Sequence, residues 1–181
     1  ERRKVVILAI ENDDQPMKNS RKQAIWNKYY AHLEYLLHKK AIQEHPFRCR
    51  SIAKAVQHRI EQYDGTHYHL LAYAILSNHI HLQLDFSVQC PQLWDGISAI
   101  PDYVNLATVI GQIKGGSTFD ANKATGRKGT LWNKGYYDRY MRDSKHLTTE
   151  FWYIVRNAET AGLVDNWRQH PFTYGCPSLT G

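Results

Sequence analysis

The sequence predicts an α+β fold in which helices pack against an antiparallel sheet. Two β segments, residues 68–76 (YHLLAYAIL) and 79–86 (HIHLQLDF), are separated only by Ser77 and Asn78, and so short a separation is typical of a hairpin or of one strand with a tight bend. An earlier segment, residues 4–10 (KVVILAI), is rich in β-branched residues and predicts a buried strand. Helical patterns precede and follow the hairpin, and this mixture favours helices packed on neighbouring antiparallel strands.

Four further segments carry apolar residues at helical spacing, at residues 20–40, 51–63, 105–113 and 146–161. Ser20 and Ser51 are the expected N-caps of the first two. We expect Gly115 and Gly116 to weaken the third helix, and Gly162 to follow the fourth as its C′ residue. The residues expected on the inward face of the second helix are Ile52, Ala55, Val56 and Ile60.

Shorter features complete the predicted organisation. Asp64-Gly65 predicts a turn, residues 123–128 (KATGRK) a basic and flexible loop, and residues 136–142 (YYDRYMR) another strand. No internal repeat or long linker divides the chain, so we expect one domain across residues 1–181.

Composition restricts the class of protein. The 181 residues are 43% hydrophobic, which is typical of a globular protein, and no run approaches the roughly 18 apolar residues that span a bilayer. The first residues lack the features of a signal peptide, and the start at Glu1 suggests that a leader or tag has been removed.

Cys49, Cys90 and Cys176 are too widely spaced to suggest a disulfide framework or a thiolate zinc site, which favours the reducing cytoplasm. The net charge of +6 favours an anionic partner, and 12 Tyr and 5 Trp offer stacking platforms for unpaired bases.

Two histidines alternate with apolar residues in the second hairpin strand. Successive side chains on a strand point to opposite faces, so His79 and His81 share one face and lie about 7 Å apart along the strand. Two imidazoles in this arrangement can converge on one metal ion. The alternative is that two surface histidines alternate by chance on a half-exposed strand.

The last predicted helix carries a second pair of polar residues. Tyr153 and Asn157 are four residues apart, so they lie on the same face of a helix, and a phenol and an amide oxygen can reach one site. Taken alone, Tyr153 is more often a residue at the rim of a core than a nucleophile.

These segments together resemble the REP-associated tyrosine transposases, which are single-tyrosine HUH endonucleases related to small insertion-sequence transposases. The name HUH describes the pattern of His79-Ile80-His81. The similarity runs from about Tyr63 to Phe172, and the preceding helical region around 20–62 matches weakly, as a lineage-specific addition would. Ala158 and Ser77 stand where the family usually has proline. The other matching blocks are Ile113-Lys114-Gly115, Gly129-Thr130-Leu131-Trp132, residues 137–143 (YDRYMRD) and residues 153–164 (YIVRNAETAGLV).

The resemblance implies a ferredoxin-like or RRM-like sheet and a mechanism. Tyr153 corresponds to the nucleophile that forms a 5′-phosphotyrosine link, and His79, His81 and Asn157 correspond to the metal ligands. The family is associated with Mg²⁺ or Mn²⁺, although the ligand types suit Zn²⁺ as well. The implied substrate is single-stranded or hairpin DNA of the REP-like palindromic kind, cut by a monomer in the bacterial cytoplasm, at the nucleoid. The cations expected to contact DNA phosphates are Lys114, Lys123, Arg127, Lys128, Lys134, Arg139 and Arg142, with Arg2, Arg3 and Lys4 as additional candidates.

Three alternatives remain at this level. A domesticated module could bind hairpin DNA without cutting it, although binding alone does not require the histidines, the tyrosine and the asparagine together. An RNA-binding sheet domain could stack bases on Tyr68, Tyr73 or Phe86, although no RNP-type aromatic motif is present. A replication initiator or relaxase shares the histidine pair and tyrosine, but the tyrosine helix that follows the histidines is the transposase-like order.

Overall fold

The computed structural model describes residues 6–10, 45–95 and 98–180, the first of these ranges by its backbone. The predicted helix at residues 20–40 and the cations Arg2, Arg3 and Lys4 lie outside these ranges. The strands are β1 (Val6–Ile10), β2 (His69–Ile75), β3 (Ile80–Asp85) and β4 (Thr173–Gly175). The α-helices are α1 (Arg50–Glu61), α2 (Leu106–Thr125), α3 (Ser144–Val155), α4 (Asn157–Thr160) and α5 (Pro177–Thr180). Single 3-10 turns occupy Pro46–Arg48, Phe86–Gln89 and Trp167–Gln169.

The strands form one sheet in the order β1-β3-β2-β4. The predicted hairpin is confirmed, because β2 and β3 pair antiparallel, and β4 adds antiparallel to the other edge of β2. The α+β class with helices on antiparallel strands is therefore confirmed. β1 pairs parallel to β3, which the long connection between β1 and β2 permits. The sheet differs from a ferredoxin-like order at β4, which lies beside β2 and not beside the first strand.

The two faces of the sheet bury different residues. Ile80, Leu82 and Leu84 alternate along β3 and pack with α1 and α2 in the larger hydrophobic core. Ala72 and Ala74 of β2 belong to a second core, on the face that α3 covers. The chain therefore has a helix-sheet-helix arrangement, and the side chains of β3 that do not enter the larger core point toward α3.

Helix α1 buries the four residues predicted for its inward face, Ile52, Ala55, Val56 and Ile60. The predicted cap was wrong, because Cys49 is the N-cap and Ser51 is already exposed inside the first turn. On its other side α1 contacts α2 through Arg59, whose guanidinium Nε and Nη2 bond both carboxylate oxygens of Asp120 at 2.6 and 3.0 Å. This helix is thus an integral part of the core.

Helix α2 is longer than predicted. Its N-cap Asn105 accepts a hydrogen bond from the N–H of Thr108, and it ends at Thr125 before Gly126, which has a φ of 69°. A Cβ at Gly116 would lie 2.8 Å from Arg59, so this glycine admits the Arg59 side chain and does not break the helix. Lys123 consequently lies in the last turn of α2 and not in a flexible loop.

The segment before α3 and the end of α3 also differ from expectation. Residues 136–142 do not form a strand; only Tyr137 and Tyr140 make single bridges. This segment has no ladder of backbone hydrogen bonds, and side-chain contacts such as that of Arg139 with Glu150 hold it in position instead. The predicted last helix is divided at Arg156, whose φ of −86° and ψ of 2° turn the chain before Asn157. Gly162 follows α4 with a φ of 67°, as expected of a C′ residue.

Candidate active site

The histidine pair lies at the start of β3, on the face of the sheet that α3 covers. His81 stands opposite Ala74 of β2 and Val6 of β1, and the carbonyl of His79 accepts the N–H of Leu76 across the hairpin turn. Their exposed fractions are 1% for His79 and 0% for His81. The alternative of two surface histidines on a half-exposed strand is therefore wrong. Buried imidazoles in a fold require partners, which makes their contacts informative.

The two imidazoles face each other through their Nε2 atoms, which are 3.1 Å apart. The side-chain oxygen of Asn78 lies 2.8 Å from Nδ1 of His79. Because an amide oxygen only accepts hydrogen bonds, His79 carries its proton on Nδ1 and presents the lone pair of Nε2 to His81. With metal–nitrogen bonds of about 2.0–2.1 Å, two ligand nitrogens of one ion lie roughly 3 Å apart. The pair therefore fits a shared cation.

Helix α3 brings Tyr153 to this pair. The rings of Tyr153 and His81 meet edge to face, with centroids 5.5 Å apart and an interplanar angle of 87°. One turn and a half earlier in the helix, the Leu147 carbonyl accepts a hydrogen bond of 3.0 Å from the side chain of Gln83 in β3. This bond fixes the helix along the strand that carries His81. The Tyr153 side chain is half-buried.

Asn157 is the first residue of α4, four positions after Tyr153. Its side chain is buried with 2% exposure, and its Oδ1 has no hydrogen-bond partner. A buried amide oxygen without a partner costs stability, and a cation that it coordinates would remove the cost. Tyr153 and Asn157 do not share one continuous helix as predicted, because the helix that carries Tyr153 ends at Val155 and Asn157 begins the next one. Together with the two imidazole nitrogens, the amide oxygen would make a mixed ligand set that suits Mg²⁺, Mn²⁺ or Zn²⁺.

The ranges that the structure describes contain no group of three or more His, Cys, Asp or Glu side chains placed to hold a metal ion. The predicted ligand set differs in kind from such a group, because it has two histidines and completes the site with an amide.

The predicted DNA-contacting cations differ in their contacts and exposure. The ammonium of Lys114 donates to the carbonyl oxygens of Asn133 and Gly135 at 2.7 and 2.9 Å, and burial lowers its pKa. Arg139 is ion-paired with Glu150. These two hold the chain between α2 and α3 in place. Arg127 is half-buried, and the remaining four, whose side chains are exposed, are Lys123, Lys128, Lys134 and Arg142.

The sequence analysis did not predict two features near the site. The first is the orienting contact of Asn78, which looks like a turn residue in the sequence. The second is Glu150, which is 8% exposed, contacts Arg139, and has His146 Nε2 3.5 Å from its carboxylate. A glutamate within the apolar run of the tyrosine helix, three residues before Tyr153, was the available signal.

The aromatic residues proposed for RNA stacking are not available to bases. Tyr68, Tyr73 and Phe86 are all buried in the larger core. The Tyr68 hydroxyl donates to the carbonyl of Ile60, and that of Tyr73 to Glu61. The alternative of an RNA-binding sheet that uses these three residues is therefore wrong.

Comparison of the chain with protein-family models, curated proteins and solved structures finds no match. None of the helices in the described ranges has both the length and the apolar character needed to cross a bilayer.

Proposed function

We propose that this chain cuts and rejoins single-stranded DNA at or near hairpins, with Tyr153 as the nucleophile. The observation that carries the proposal is the convergence of three side chains from two elements. His79 and His81 face each other at 3.1 Å, and Tyr153 from α3 contacts His81. A packed core has no need of two facing imidazoles, and a DNA-binding surface has no need to bury them.

Mg²⁺ or Mn²⁺ would be held by His79, His81 and the unpartnered oxygen of Asn157. When bound, such an ion withdraws charge from a non-bridging oxygen of the scissile phosphate. The chain itself contributes the orientation of the ligands, since Asn78 fixes the proton of His79 away from the ligand nitrogen. It also excludes water from the pair, because both histidines are buried.

The phenol of Tyr153 supplies the attacking oxygen. Its usual pKa is about 10, so it loses its proton as the oxygen attacks phosphorus. The new bond joins the tyrosine oxygen to phosphorus, while the bond from phosphorus to the 3′ oxygen breaks, and that oxygen leaves as a 3′-OH after taking a proton. Attack of a 3′-OH on the phosphotyrosine reverses these changes and rejoins strands. No ATP is consumed, because each step exchanges one phosphate ester for another.

The substrate class follows from the resemblance and from charge. The net charge is +6, and four of the predicted phosphate-contacting cations are exposed. We propose REP-like palindromic hairpins as targets, a monomer as the active form and the bacterial cytoplasm, at the nucleoid, as the place of action. A domesticated hairpin-binding module is the alternative, and it predicts binding without a cut at any metal concentration.

A nicking assay separates these two functions. An end-labelled hairpin with single-stranded flanks is incubated with Mg²⁺ or Mn²⁺, and the products are resolved under denaturing conditions. Wild type and His58→Ala, which changes an exposed histidine of α1, should nick the strand, and His81→Ala should not. Equal nicking by His81→Ala would reject the metal site, and binding without nicking by the wild type would favour the domesticated module.

A further inference from the structure

A cavity of about 260 Å³ lies between the N-terminus of α2 and the chain that leads into α3. One wall is formed by the first turn of α2, including Asn105 and Ala107. The other is formed by Tyr136, Asp138 and Arg139 together with Tyr140. The cavity is somewhat smaller than pockets for drug-sized ligands, so it suits a single ring system.

The lining favours a nucleobase over a phosphate. Tyr140 is 41% exposed and presents an aromatic surface for stacking. Asp138 is exposed and would repel a phosphate, whereas its carboxylate can accept a hydrogen bond from the amino group or ring N–H of a base. The charge of Arg139 is already balanced by Glu150, which further reduces the attraction for a phosphate.

The cavity is connected to the candidate active site through one ion pair. Arg139 forms part of its wall and contacts Glu150 of α3, and Glu150 lies three residues before Tyr153. Residues three apart on a helix are neighbours on its surface. A base in the cavity would therefore belong to a nucleotide close to the phosphate that Tyr153 attacks.

We propose that this cavity binds one unpaired nucleobase of the single strand, flanking the scissile phosphate, with Tyr140 as its stacking residue. The inference rests on the proposed function for the identity of the strand. The cavity would fix the position of the strand relative to Tyr153, and thereby the position of the cut relative to the foot of a hairpin.

The proposal is tested by binding in EDTA, where no cleavage occurs. 2-Aminopurine is placed in turn at each unpaired position beside the foot of a DNA hairpin, and fluorescence and affinity are measured. The wild type should quench the signal strongly at one position. Tyr140→Ala should lose that quenching and bind roughly 5- to 150-fold more weakly, whereas Tyr140→Phe should retain both. Phe119→Ala, which removes an aromatic residue of α2 that is 66% exposed and outside the cavity, should behave as the wild type.

The outcomes distinguish this proposal from the proposed function. Wild-type quenching and affinity in Tyr140→Ala would overturn the base pocket, even if covalent cleavage is found. Loss of quenching in Tyr140→Ala alone would support the pocket, even if no covalent product ever forms. An equal loss in Phe119→Ala would show a general aromatic surface and overturn the assignment to this cavity, and a wild type that does not bind DNA would overturn both proposals.

Discussion

Asn78 determines which nitrogen of His79 faces His81. It is 5% exposed, and its amide oxygen lies 2.8 Å from Nδ1, so the proton of the imidazole stays on that side. Sequence spacing was sufficient to place His79 and His81 on one face of a strand. It could not predict the tautomer, because that depends on a contact made at the hairpin turn after folding.

Asn78→Ala should leave both histidines in place, but the His79 ring would lose the hydrogen bond that orients it. Removing such an orienting partner typically weakens metal affinity about 10- to 100-fold. We expect the Mn²⁺ concentration for half-maximal nicking to rise by that factor, with Asn78→Asp, which keeps an acceptor, closer to the wild type. Titration of nicking against Mn²⁺ measures the shift. An unchanged titration curve in Asn78→Ala would show that this contact does not orient a ligand.

The contact between helices α1 and α2 depends on Gly116, whose packing role cannot be predicted from the sequence alone. The sequence suggested that Gly116 weakens α2, yet the helix continues through it because the Arg59 side chain occupies the space that a Cβ would fill. Only the packing of two helices that are distant in the sequence reveals this role. Periodicity predicted the existence of α1, α2 and α3, but it predicted neither the length of α2 nor the division at Arg156.

The Arg59–Asp120 pair should make stability depend on pH. Hydrogen bonding to Arg59 lowers the pKa of Asp120 below its usual 3.8. The stabilisation is therefore present above about pH 4 and is lost as the pH falls through the lower folded-state pKa. Asp120→Asn should reduce the free energy of unfolding by about 1 kcal/mol at pH 7, since the pair is partly exposed. Urea unfolding at pH 7 and at lower pH tests this, with the exposed Asp165→Asn as control. If the difference in the free energy of unfolding between the wild type and Asp120→Asn stayed the same at lower pH, the stabilising role of the ionised Asp120 would be contradicted.

For the whole molecule, the placement of α3 on the sheet decides whether Tyr153 can meet the histidines. The sheet offers small residues beneath this helix: Ala72 and Ala74 in β2 and Gly175 in β4. Alternation and the hairpin spacing predicted an α+β fold with antiparallel strands. The parallel pairing of β1 and the position of β4 beside β2 arise from pairings between distant segments, so local patterns did not predict them.

Gly175→Ala should displace α3. An added Cβ would lie 2.9 Å from Phe151 Cζ, a separation that real Cβ atoms essentially never show, and 3.0 Å from Val155 Cγ1, which is tighter than most real contacts. Overpacking of this kind costs about 1–3 kcal/mol, and each kcal/mol lowers the melting temperature by roughly 2–4 °C in a chain of this size. Because Tyr153 lies between these two residues in the helix, nicking should fall more than hairpin binding. Thermal melts and parallel binding and nicking assays measure both effects; an undiminished melting temperature would show that β4 does not support the helix closely.

The proposed function requires that Tyr153 become covalently joined to DNA. The mass of the protein is measured after incubation with hairpin DNA and Mg²⁺ or Mn²⁺, and the peptide that carries the nucleotide is then identified. We expect a 5′-phosphotyrosine on Tyr153, absent from Tyr153→Phe, which should still bind the hairpin. An adduct that persists in Tyr153→Phe, or a nick without any adduct in the wild type, would contradict the proposed function.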